Sequence, residues 1–190
     1  MLMLLFKAIP WMIRANETTS FKKRVLNMAR RVFFSFHYQD DIFRVNIIRK
    51  SGVVLGTAAA GFHDASLWEK AKRKGASAVK GLIDRGLDGT TVTCVLIGQK
   101  TASRRYVNYE IIQSAKRGNG LLGIHINGIK DIKGNTYFWR GEVPAALEEC
   151  RAAIYDWNPR LFGEWVEKAY QRANERPPRN IFEEIGRMFR

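Results

Sequence analysis

Cysteine is scarce in this chain: two in 190 residues, Cys94 and Cys150. They have no metal-ligand spacing and form no disulfide framework, which fits a reducing, cytoplasmic compartment. Histidine is equally sparse, with three in the chain and no His-x-x-x-His pair, so a histidine-based metal site has no support. No apolar run approaches the roughly 20 residues that cross a bilayer, which argues against a membrane span. A phosphate-binding Gly-rich lysine loop, a G-x-S-x-G elbow and a dinucleotide-binding glycine fingerprint are all missing. Internal repeats and low-complexity linkers are absent too, and the length and aromatic content suit one core.

Acidic residues are also few, 18 against 32 Lys and Arg, giving a formal net charge of +14 and a sequence pI near 10.1. Such a balance raises nucleic acid as a partner. The charge is scattered, however, over Lys22-Lys23-Arg24, Arg30-Arg31, Lys70 to Lys74, Arg104-Arg105 and Lys116-Arg117, with no zinc-finger or RNP-type module. A solvated basic face is the better reading, and such a face also attracts an anionic dinucleotide.

What is present alternates between two periodicities. Val32-Phe33-Phe34 is a short apolar, β-branched and aromatic run bounded by Arg30-Arg31 and Asp40-Asp41, as expected of a strand covered on both faces. Strands are expected at about 31–37, 53–57, 91–98, 121–127 and 151–155, and helices at about 40–50, 66–85, 105–117 and 160–175. Residues 56–61 and 130–141 read as loops, and Gly118-Asn119-Gly120 as a helix stop. Alternating strands and helices imply an α/β fold around a mostly parallel five-stranded sheet. Ligands of open parallel sheets bind beyond the carboxyl ends of the strands. Those ends are Phe36 to Asp40, Thr57 to Asp64, Gly98 to Arg104 and Ile126 to Lys130.

Glu110 follows the 91–98 strand on the next helix, where side chains lean back toward that rim. Helical spacing puts Tyr106, Tyr109, Glu110 and Gln113 on one polar face, with Val107, Ile111 and Ser114 packing on another. The plainer alternative is an exposed Glu110 balancing Arg104, Arg105 or Lys116. His37 is a rim candidate, whereas His125 suits a satisfied strand-end position, and His63 beside Asp64 is supported by adjacency alone. Asp40 and Asp41 precede a periodic helix and suit capping, with a ligand role open for Asp40. Lys130, Lys133 and Asn135 lie in a loop that suits phosphate contact or plain solvation.

Several blocks together resemble one family. Val32-Phe33-Phe34-Ser35-Phe36-His37-Tyr38 with Asp40-Asp41, then Asp64-Ala65-Ser66-Leu67-Trp68-Glu69, then Thr91 to Gly98, then Arg104-Arg105-Tyr106-Val107-Asn108-Tyr109-Glu110-Ile111, and finally Gly123-Ile124-His125-Ile126-Asn127 are similar to TIR-like proteins of Thoeris anti-phage systems. The resemblance is strong over residues 28–127. It implies a flavodoxin-like, three-layer TIR-type sandwich and an enzyme that consumes NAD as substrate, with neither a cofactor nor a metal. Nicotinamide is released, and the rest becomes a signal nucleotide, commonly a cyclic ADP-ribose isomer. It also implies a partner effector that the signal activates, a phage component as trigger, and a homo-oligomer as a route to activation.

The same resemblance points to Glu110 as the catalytic residue, since a carboxylate stabilises an oxocarbenium-like ribose. It implies substrate contacts from Ser35 to a ribose, from Phe36 by stacking, and from His37, Asp40, Asp64 and Tyr109 around the rim. Glu69 is the alternative carboxylate, because many TIR NAD hydrolases carry theirs on the helix after the second strand. The segment aligned with that helix, Ser77 to Ile83, has no glutamate. Glu69 also suits a plain pairing with Arg73 four residues on.

Residues 28–176 are the expected TIR-like domain. Residues 1–27, apolar first and basic last without a cleavage site, read as an extension: an unused start upstream of Met28 or an amphipathic segment. Residues 177–190 read as a tail helix after Pro177-Pro178. The rival function is a non-catalytic TIR-like interaction module.

Overall fold

The structure, a computed structural model, describes residues 30–50 and 65–175. The expected strand at 53–57, the loop at 56–61, the extension 1–27 and the tail 177–190 lie outside the described residues. Four strands form one sheet in the order β1 (Val32–Ser35), β2 (Val92–Ile97), β3 (Gly120–His125), β4 (Ala153–Asp156). The sequence suggests five strands; the described residues supply four. Every pairing is parallel, with Val32 beside Val92, Val92 beside Gly120 and Leu122 beside Ala153. All of β1 and β2 is buried, as continuous apolar strands between two layers of helix should be.

Alternation along the strands sorts side chains onto two faces. Phe34, Cys94, Leu96, Leu122 and Ile124 face α1 (Tyr38–Lys50) and α6 (Phe162–Glu175), packing on Val45, Ile48, Phe162 and Trp165. Val95 and Ile97 face the other way, onto Val107 and Ile111 of α4 (Arg105–Lys116) and Ala146 and Leu147 of α5 (Ala145–Glu149). Phe33 shares this second face and packs against α2 (Ala65–Arg73) and α3 (Ala76–Leu87) through Ala71, Val79 and Ile83. The described part is thus three layers around a parallel sheet. None of its helices is long and apolar enough to cross a membrane.

Two differences from the sequence reading have local causes. The helix expected over 66–85 is two helices, broken at Gly75, whose φ of 98° lies in the left-handed region open to glycine. The first helix begins at Tyr38, two residues before the expected start, so Asp40 and Asp41 stand inside its first turn near the positive end of the helix dipole. The short α5 had no periodic signal of its own. The stretch 130–141 is loop and turn, as expected.

Candidate active site

Ser35 ends β1 on the face that looks toward α4, because it pairs with Val95 in register and shares its side of the sheet. There its hydroxyl donates to Glu110 Oε2 at 2.5 Å, and both side chains are buried. Glu110 does not share an exposed face with Tyr109. It sits with Val107, Ile111 and Ser114 on the buried stripe of α4, the i, i+3, i+4, i+7 pattern of a packed helix face. An exposed glutamate balancing nearby cations is therefore excluded. Beneath it, Thr93 Oγ1 donates to Ser114 Oγ at 2.7 Å, and Ser114 Oγ donates to the Glu110 carbonyl at 2.7 Å. That chain locks α4 onto β2 where the carboxyl must be held.

Burial pushes the Glu110 carboxyl up to about 8, against the smaller opposing effect of the Ser35 hydrogen bond. A carboxyl that holds its proton near neutrality with one donor beside it is a poised group, and such groups concentrate at functional sites. It forms part of the lining of a cleft of about 400 Å³, together with Phe36, Trp68, Lys72, Arg104 and Tyr106. Trp68 meets Tyr106 edge-on with centroids 5.7 Å apart, and Phe36 lies 6.2 Å from Tyr38. The cleft thus joins aromatic faces, cations and one buried carboxyl, a set suited to a flat heteroaromatic ring linked to a sugar and an anion.

His37 also lines the cleft. Its Nδ1 is 3.3 Å from Asp40 Oδ2, and burial with the nearby Arg104 charge lowers its pKa. Asp40 pairs with Lys100 Nζ at 2.9 Å, a hydrogen bond that holds its carboxyl below the ordinary range. Asp41 is deeply buried and pushed up to about 6 by that burial, with Arg44 at 3.9 Å opposing the shift.

The remaining candidates do not line this cleft or lie outside the described residues. Tyr109 points toward α3, its hydroxyl donating to Asp84 Oδ2 at 3.0 Å. Glu69 is exposed and accepts from Lys72 Nζ at 2.9 Å, the neighbour three residues on rather than Arg73. His125 is buried at the end of β3, where burial and Arg140 lower its pKa. Asp64 and His63 lie outside the described residues. Among the described residues no cluster of three or more His, Cys, Asp or Glu could hold a metal ion. Arg104, Lys72 and Tyr106 line the cleft without having been singled out as site residues. Their signal was the Arg104-Arg105-Tyr106 run directly after a strand end, which reads as one more scattered charge cluster until the fold folds it over Glu110.

A parallel α/β sheet between helical layers, with a cleft beyond its strand ends, is the architecture of the TIR-like class. The family model of the Thoeris protein ThsB, TIR-like domain, matches residues 33–131. A Bacillus cereus (strain MSX-D12) protein named "Putative cyclic ADP-D-ribose synthase ThsB1" is 45% identical over 163 residues, covering 81% of this chain and 84% of that protein. The chain belongs to the Thoeris ThsB TIR-like family.

Proposed function

We propose that the protein is an NAD-consuming enzyme of bacterial anti-phage defence, acting in the cytoplasm, that releases nicotinamide and converts the ADP-ribosyl remainder into a cyclic ADP-ribose isomer. The observation that carries this reading is the buried Ser35–Glu110 pair in a cleft lined by aromatic rings and cations. The name of the Bacillus cereus relative supports the product class. NAD enters as substrate, with no separate cofactor. Its pyridinium ring is cationic, and a cation in the cleft favours loss of the Glu110 proton to solvent. The resulting carboxylate faces the ribose as the nicotinamide–ribose bond breaks and its electron pair leaves with neutral nicotinamide. Charge on the oxocarbenium-like ribose is what the carboxylate and the Ser35 hydroxyl stabilise.

Two fates then compete for the anomeric carbon. Water gives ADP-ribose and a proton, whereas a nucleophile of the ADP-ribose itself gives a cyclic product one water lighter, also with release of a proton. The second needs a pocket that folds the chain and excludes water, which makes proximity decisive. The signal would activate a partner effector, with a phage component as trigger and self-association as the route to an active state. The test is nicotinamide release from NAD by the full chain in lysates of phage-infected and uninfected cells. Release, greater after infection, is the expected result. A folded protein that releases none in either lysate would support the non-catalytic interaction module instead.

A further inference from the structure

Three cations line the cleft that holds Glu110: Lys72, Arg104 and Arg105. Two of them already have partners, since Lys72 bonds Glu69, and Arg105 donates to the Tyr106 hydroxyl at 2.8 Å with its guanidinium 4.6 Å from that ring's centroid. Arg104 differs. Its guanidinium makes no hydrogen bond or ion pair among the described residues, and its Nε is buried without an acceptor. The acid it acts on through space, Asp40, is already engaged by Lys100 at 2.9 Å. A buried, unmatched guanidinium donor is costly unless an acceptor arrives.

Helix stability does not account for these arginines. Arg104 caps the start of α4 and Arg105 is its first residue, so both stand at the positive end of the helix dipole, and its first turn has no acidic residue. Cations there are unfavourable, while an anion is favoured. Glu110 stands six positions after Arg104, about 9 Å along the helix axis at 1.5 Å per residue. One wall of one cleft therefore offers an anion hook at one end and a ribose-facing carboxyl at the other.

We propose that Arg104, supported by Arg105 and Lys72, binds the diphosphate bridge of the substrate and makes the cleft selective for diphosphate-linked nucleotides over nucleosides. This inference rests on the NAD reading above. Arg104 sets specificity and position; Glu110 is the group at the reacting carbon. Held by its diphosphate at Arg104, a dinucleotide presents its nicotinamide ribose to Ser35 and Glu110.

Calorimetric titration of the full chain with ADP-ribose and with nicotinamide riboside, for the native protein, Arg104→Gln and Arg104→Lys, separates the possibilities. The expected result is a loss of about ten-fold or more in ADP-ribose affinity for Arg104→Gln, the scale of a lost charge-assisted hydrogen bond. Arg104→Lys should restore part of it, and nicotinamide riboside should bind the native protein and both Arg104 variants alike. The native affinity for ADP-ribose should also fall with salt. Equal ADP-ribose affinity in native and Arg104→Gln protein overturns the diphosphate assignment while leaving the NAD reading intact. A parallel loss for both ligands in Arg104→Gln overturns it as well, since a collapsed cleft explains that result. Failure of the native protein to bind either ligand overturns both readings together.

Discussion

Ser35 and Glu110, 75 positions apart, meet at 2.5 Å where the end of β1 runs under the first half of α4. The contact needs three things at once: the β1–β2 register, a buried helix stripe that includes a glutamate, and a helix fixed to β2 through Thr93 and Ser114. Core packing does not ask for a carboxyl at that place. Desolvating one opposes folding, and the protein accepts the cost in the lining of its cleft.

That cost has a pH signature. The folded-state pKa of Glu110, about 8, lies above its ordinary value of 4.5, so folding retains a proton that the unfolded chain has released between those values. Stability from this group is therefore fully present below about pH 4.5, falls as pH rises toward 8, and is constant above that. The full swing is on the order of 5 kcal/mol at 1.36 kcal/mol per pH unit. Glu110→Gln removes it, so the variant should melt at a higher temperature than the native protein at pH 9, with the gap shrinking toward pH 5. Calorimetry at the two pH values reads this directly; a variant less stable than native at pH 9 would mean that Glu110 is structurally favourable.

The Ser35 hydroxyl favours the ionised carboxyl and so works against burial. Ser35→Ala should move the rising limb of the pH profile of kcat/KM for NAD cleavage to higher pH. It should also lower the rate at neutral pH by about ten-fold or more, the scale of a lost hydrogen bond to a charged group. A profile with an unmoved limb would separate Ser35 from the titration of Glu110.

The rim is held by two close backbone approaches. A Cβ on Gly98 would stand 2.2 Å from Asp41 Oδ2, and one on Gly141 would stand 2.0 Å from the Gly98 carbonyl oxygen. Both alanine substitutions should destabilise by about 1–3 kcal/mol or more. Gly141→Ala should cost more, because the atom it meets is backbone and cannot rotate away. Urea unfolding of the two variants ranks them, and equal or reversed costs would contradict the packing described.

Arg30, just ahead of β1, bonds both carboxylate oxygens of Glu167 on α6 at 2.8 and 2.9 Å and lies 3.5 Å over the Tyr170 ring. Its loss to alanine should cost on the order of 2 kcal/mol. In a double-mutant cycle with Glu167→Gln the costs should fall short of additive, since each variant already removes the same contact. Additive costs would show that the pair contributes little.

The strand pattern was legible because Val32 to Phe34 and Val92 to Ile97 are too apolar and β-branched to be anything but covered strands. The Gly75 break was not, since a single glycine within a helical periodicity leaves the helix reading intact until its φ is known. Glu110 stood out through the Tyr109-Glu110-Ile111 triplet, but its face could not be read correctly. Spacing groups it equally well with Tyr106 and Gln113 or with Val107 and Ser114, and only the packing of α4 on β1 decides. Arg104 was hidden for a related reason: one basic pair among many becomes distinctive only when its neighbours prove to be paired and it does not.

The chemistry of the Ser35–Glu110 pair is read most directly by following NAD with the native protein and Glu110→Gln in lysate from phage-infected cells, measuring nicotinamide release and the mass of the ADP-ribosyl product. The native protein should release nicotinamide and form a product one water lighter than ADP-ribose, and the folded variant should do neither. Equal turnover by the variant would move the chemistry away from the Ser35–Glu110 pair.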